Sequence, residues 1–183
     1  YLYDRGDPDL ARQVAWNLWK WGGEQGEDDA YDKWHKTRAL WERRVEQVGD
    51  DDTYSDEITW FVRYLDHVGS RVELCEIENL LRNSIFHIGS HQHSRRVWSN
   101  LEEYLSHQSA DYTEIAVEVI HRLVKNYQRP FGQDFNDNVA AILRPAFEEF
   151  ETDDEVYIKA FETAQSYASE RDNQAQTFLD NNH

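Results

Sequence analysis

The chain has 183 residues, enough for one domain with a core or for a short array of stacked helical units, and its 14% aromatic content argues against disorder. Its 36 Asp and Glu against 19 Lys and Arg give a net charge of −17, a surface hostile to DNA, RNA and anionic lipid. A single cysteine excludes an internal disulfide framework and a cysteine-rich zinc site, and no stretch approaches the ~20 apolar residues of a membrane span.

In chain order, Asp7 before Pro8 reads as an N-cap followed by proline at the first helical position. It opens a helix over 8–21 that stops at Gly22-Gly23. A second helix over 28–48 carries Trp34 and Trp41, seven apart and therefore on one face. With Trp16, Trp19 and Trp21 they form an aromatic-rich N-terminal region. Such clusters can build stacking platforms for sugars or bases, but the spacing favours packing between the first two helices. Arg43-Arg44 and Arg95-Arg96 read as salt-bridged surface.

The next helices announce themselves by apolar periodicity. Ile58, Phe61, Val62, Leu65 and Val68 predict a helix over 55–68, and Leu74, Ile77, Leu81, Ile85 and Ile88 one over 72–88. Cys75, inside that second stripe, reads as a buried small hydrophobe. Further stripes predict helices over 94–107 and 112–127. Another over 136–150 should kink or split at Pro145, and the last covers 153–171. Gly49, Gly69 and Gly89 fall where left-handed C-caps belong, and Asp111 with Glu114 and Thr152 with Glu155 have capping-box spacing. Residues 172–183 read as a frayed tail.

A shift of about 40 residues superposes these stripes, mapping Leu81 to Ile120 and Ile120 to Phe161. The expected fold is all-α: antiparallel helical hairpins stacked as a short HEAT-like array, or an irregular helical bundle. It forms a single domain over 1–171 with repeat-like units at about 55–89, 94–128 and 136–171. Without methionine and starting at Tyr1, the chain reads as a piece of a longer polypeptide. Lacking a signal-peptide pattern, it reads as cytoplasmic. Its excess of acids, with Arg preferred over Lys, suits a halophilic source.

The densest chemistry is FHIGSHQH, residues 86–93. His87, His91 and His93 are candidate metal ligands, and His87 and His91 have the i, i+4 spacing of a zinc pair. The expected helix end at Gly89 separates them, and neither a cysteine nor a clear carboxylate completes the set. The sequence therefore assigns no metal, and 89–93 reads as a connector before a cap at Ser94. No Gly-rich phosphate loop, nucleophile elbow or HExxH helix is present, so no cofactor is expected.

Two resemblances bear on function. Arg82 and His87, with four residues between them, resemble the R-x(4–6)-H motif of HEPN ribonucleases, small helical domains that cleave RNA as dimers without metal. That likeness implies acid–base chemistry for His87 and phosphate stabilisation for Arg82. The run YDKWHKTRALWERRVEQVG, with DEITWFVRYLDHV after it, resembles a helical domain at the C-terminal end of large prokaryotic defence proteins. These often carry sirtuin-like or NTPase modules; the matching residues are Trp34, Leu40, Trp41, Glu42, Arg44, Glu57 and Trp60. This second likeness implies a sensing, oligomerising or scaffold segment with catalysis elsewhere. The leading expectation is a non-catalytic interaction module whose partner is a protein or another domain of its own chain. Self-association remains open, and nucleic acid and membrane are poor fits. A dimeric ribonuclease using Arg82 and His87 is the alternative.

Overall fold

The computed structural model describes residues 7–90, 95–127, 134–168 and 172–182, and among them every regular element is a helix. In order these are α1 (Pro8–Gln25), α2 (Glu27–Asp32), α3 (Trp34–Val48), α4 (Ser55–Arg63), α5 (Leu65–Val68), α6 (Leu74–Ser90), α7 (Arg95–Gln108), α8 (Thr113–Asn126), α9 (Asp137–Glu149), α10 (Glu155–Ala168) and α11 (Asn173–Asn182). The N-cap expected at Asp7 is present: its carboxylate accepts from the amides of Asp9 and Leu10.

The helices pack as two layers that grow along the chain. One layer lays α4 on α1, α7 on α4 and α9 on α7; the other lays α6 on α3, α8 on α6 and α10 on α8. Consecutive helices join the layers, and α11 closes the end against α10 and α9. Packing that passes from each hairpin to the next is the geometry of a helical-repeat array. The apolar stripes are its cement, since Ile58, Phe61, Val62, Leu74, Ile77, Leu81, Leu101, Ile120 and Ile142 are all buried.

Several local expectations are corrected. The helix over 28–48 is divided at Lys33, whose amide turns back to Ala30 O at 3.2 Å; the same carbonyl also accepts from the Tyr64 hydroxyl at 3.0 Å. The helix over 55–68 is likewise divided, at Tyr64, whose amide is shared between the carbonyls of Trp60 and Phe61. Gly22 and Gly23 do not end α1, which runs to Gln25; a Cβ at either would lie 3.0 Å from the His67 ring, so they are the surface on which His67 rests. Gly49 and Gly69 do end helices, each with φ +53°.

Gly89 is different. It lies inside α6, and a Cβ there would fall 2.2 Å from Tyr127 Cγ, so it allows the end of α8 to cross α6 closely. Pro145 does not divide α9; Ser109 Oγ lies 3.1 Å from Ala141 O, the carbonyl that proline leaves without its amide partner.

Neither expected capping box forms. The first turn of α8 is tied by Thr113 Oγ1 donating to Ser109 O, and α10 is capped by Asp154, which accepts from the amide of Val156 at 2.8 Å. The tail is not frayed: Asp172 caps α11 and Ala175, Phe178 and Leu179 are buried. Cys75 is exposed, because the buried face of α6 takes Leu74 and Ile77 instead.

Gly89→Ala should lower the midpoint of thermal unfolding, corresponding to about 1–3 kcal/mol of overpacking. Tyr127→Ala in the same chain should recover most of that loss, so an additive double mutant would contradict the crossing.

Candidate functional site

His87 sits on α6, fully buried. Its Nε2 lies 2.8 Å from Gly49 O and its Nδ1 3.1 Å from Ser55 Oγ. A carbonyl only accepts, so Nε2 carries the proton, and neutral Nδ1 accepts from the serine hydroxyl. One imidazole thereby fastens the end of α3 and the start of α4 to α6. Burial pushes its pKa below the ordinary histidine value, against the opposing pull of the Gly49 hydrogen bond and the carboxylates of Asp50 and Asp51. With both ring nitrogens committed, His87 offers an external substrate no proton acceptor.

Arg82 is also committed. Its Nη2 lies 2.7 Å from Glu78 Oε1 and its Nη1 3.6 Å from Glu118 Oε1, linking α6 to α8. Glu118 gathers Arg82, Arg122 and, at 2.6 Å, Lys159 of α10. Burial pushes that carboxyl's pKa up, but hydrogen bonds from Lys159 and Arg122 outweigh it and hold the group below the usual carboxylate value. Arg82 and Asn83 border a depression of about 230 Å³ with Glu46, Asp50 and Phe86, and His87 does not line it. The other two histidines of the cluster, His91 and His93, and the expected cap Ser94 lie outside the described residues. No group of three potential metal ligands converges among the described residues.

The tryptophans pack differently from the expectation of a contact between the first two helices. Trp34 stacks on Tyr64 and Trp41 on Phe61, both joining α3 to α4, and Trp41 Nε1 donates to Ser84 Oγ of α6 at 3.0 Å. Arg44 is not surface: it is 3% exposed, and its Nε lies 2.8 and 2.9 Å from the two oxygens of buried Glu57. These are residues on which the likeness to the defence-protein domain rests, and their place is structural.

One cluster was not legible in advance. Trp19 of α1 and Trp60 of α4 have ring centroids 4.9 Å apart, and the guanidinium carbon of Arg63 lies 4.2 Å from each ring. Arg63 is 8% exposed. Burial and the charge of Arg96 push its pKa down, with Asp66 opposing. Alongside, Asp66 of α5 and Asn100, Glu103 and His107 of α7 line a second depression of about 220 Å³. The i, i+3, i+7 run of Trp60, Arg63 and His67 marks one helix face in the sequence, but nothing there shows that Trp19 meets it.

The chain matches no family model, no curated protein and no solved structure.

Two outcomes follow from the buried groups. Glu57→Ala should destabilise the fold by about 3–5 kcal/mol in urea titrations, because it leaves the Arg44 charge buried; a loss below about 1 kcal/mol would contradict the pair's isolation from water. Burial lowers the pKa of His67, His87 and His121 below the ordinary histidine value of about 6.5. The unfolded chain therefore binds more protons below that value, and stability falls as pH drops from about 6.5 through the lower folded values. His87→Gln should flatten the fall in urea midpoint between pH 7.5 and 5, and an unchanged slope would show that His87 does not contribute.

Proposed function

We propose that the chain is a non-catalytic helical-repeat module that presents its surface to another protein or to another domain of its own polypeptide. The observation carrying this reading is that the side chains best suited to chemistry are spent on assembly: His87 fastens the α3–α4 connector, and Arg82 joins the Glu118 ion-pair network. An array of stacked hairpins leaves a continuous outer surface along its layers, and such surfaces serve recognition.

The net charge of −17 supports a protein partner over nucleic acid. No helix among the described residues is long and apolar enough to cross a membrane. A cytoplasmic setting, a halophilic source, self-association of the array and a place in prokaryotic antiviral defence belong to the same proposal. The last rests on the likeness of the Trp34–Trp60 region to C-terminal domains of large defence proteins.

Incubated with single-stranded RNA in EDTA, the purified chain should leave the RNA intact. Cleavage that disappears in His87→Ala while the fold persists would replace this reading with a metal-independent ribonuclease. Cross-linking in the source cell should join the array to one defined protein or domain; absence of any such link would remove the interaction role.

A further inference from the structure

Gly22 and Gly23 lie in the last two turns of α1, where glycine gives a helix little intrinsic support. What lies on them is the His67 ring of α5. A Cβ on Gly22 would fall 3.0 Å from the ring's Cδ2, and one on Gly23 3.0 Å from its Cε1. The same ring stands 5.6 Å from the Trp19 ring and 5.9 Å from the Tyr64 ring, centroid to centroid. The weakest turns of α1 therefore rest on a residue of the one type that changes charge near neutral pH.

The surroundings of this imidazole suit the neutral ring. Its Nε2 is buried and has no hydrogen-bond partner. A histidinium carries a hydrogen on each nitrogen, so the charged ring would hold a buried N–H without an acceptor. Burial pushes its pKa down, a hydrogen bond to the Trp19 backbone opposes, and the like charge of Arg63 adds to the fall. The Trp19 face that could have favoured a second cation is already taken by the Arg63 guanidinium at 4.2 Å. The other charges on the elements packed against α5 are spent elsewhere. Lys20 and Glu24 of α1 pair with each other at 3.7 Å, and Glu27 and Asp28 of α2 face Arg71. Glu103 and His107 of α7 line the depression with Asp66, which is itself drawn to Asn100, Arg63 and Arg96.

We propose that His67 is a proton-operated latch on the end of α1: neutral, it holds residues 19–25 against α5, and protonated it releases them and bares the Trp19 ring. The sign follows from the closed state. A released His67 takes up its proton near the ordinary value of about 6.5, whereas the latched ring resists it. The latch is therefore at full strength above that pH and weakens as pH falls through it. Release is local, because a helix at the end of a stacked array leans only on its neighbours. The first half of α1, where Ala11 and Ala15 are buried, keeps its place. The N-terminal face of the array thus differs on the two sides of that pH.

The test is amide hydrogen exchange in the 183-residue chain between about pH 7.5 and 5.5, read as protection factors so that the intrinsic pH dependence of exchange is removed. Protection of the Gly22, Gly23, Glu24 and Gln25 amides should fall by up to about tenfold across this range, and the His67 ring resonances should titrate below about 6.5. His67→Gln, and His67→Phe as an uncharged ring, should each hold the protection of these four amides constant within about twofold. His87→Gln, which acts on the far side of α4, should leave their fall as it is. A fall that persists in both His67 variants, a wild-type fall below about twofold, or a His67 midpoint at or above about 6.5 would each overturn the latch.

Discussion

Each helix of this chain can bury its apolar face only because the helix one hairpin further on is laid across it. That constraint sets where polar groups can be used. The second layer repeats one device: a hydroxyl on one helix donates to its own i−4 carbonyl and accepts from the preceding helix of the layer. Ser84 takes Trp41 Nε1 in this way, and Thr163 takes His121 Nδ1. The connectors repeat another, in which Tyr64 and Tyr104, forty residues apart, donate to Ala30 O and Val72 O. Each bond contributes about 1 kcal/mol net, but its loss leaves a buried group unpaired, so their larger effect is to fix the register between hairpins.

The sequence was informative wherever burial follows helical period. The stripes from Ile58 to Ala146 mark the packed faces, and the forty-residue spacing marks hairpins that occupy successive positions in the array. It was uninformative wherever a local signal meets a distant residue. Gly89 looks like a terminator but is a crossing point, because Tyr127 arrives from another helix. Tyr64 belongs to a good helical pattern, yet its amide is shared between two carbonyls and its hydroxyl reaches Ala30 O, beside the point where the earlier helix is divided. Ala175, Phe178 and Leu179 are too few to announce a helix among polar neighbours, but α9 and α10 provide the surface that covers them.

The candidate site shows the same division. Arg82 and His87 could be singled out by residue type and spacing, and that pattern suits catalysis. Their bonding partners, Glu118 on α8 and Gly49 after α3, are supplied by tertiary packing and direct both side chains into the scaffold. Arg63 shows the reverse case. In the sequence it is one arginine in an amphipathic helix; in the structure it is a buried cation against two tryptophan rings.

Native-state hydrogen exchange tests the array most directly, because stacked hairpins lean only on their neighbours and open from the ends. The account predicts the slowest exchange in α6 and α8, held on both sides, with protection falling through α3 and α10 towards α1 and α11. Equal protection of all helices, lost together in one global opening, would contradict it.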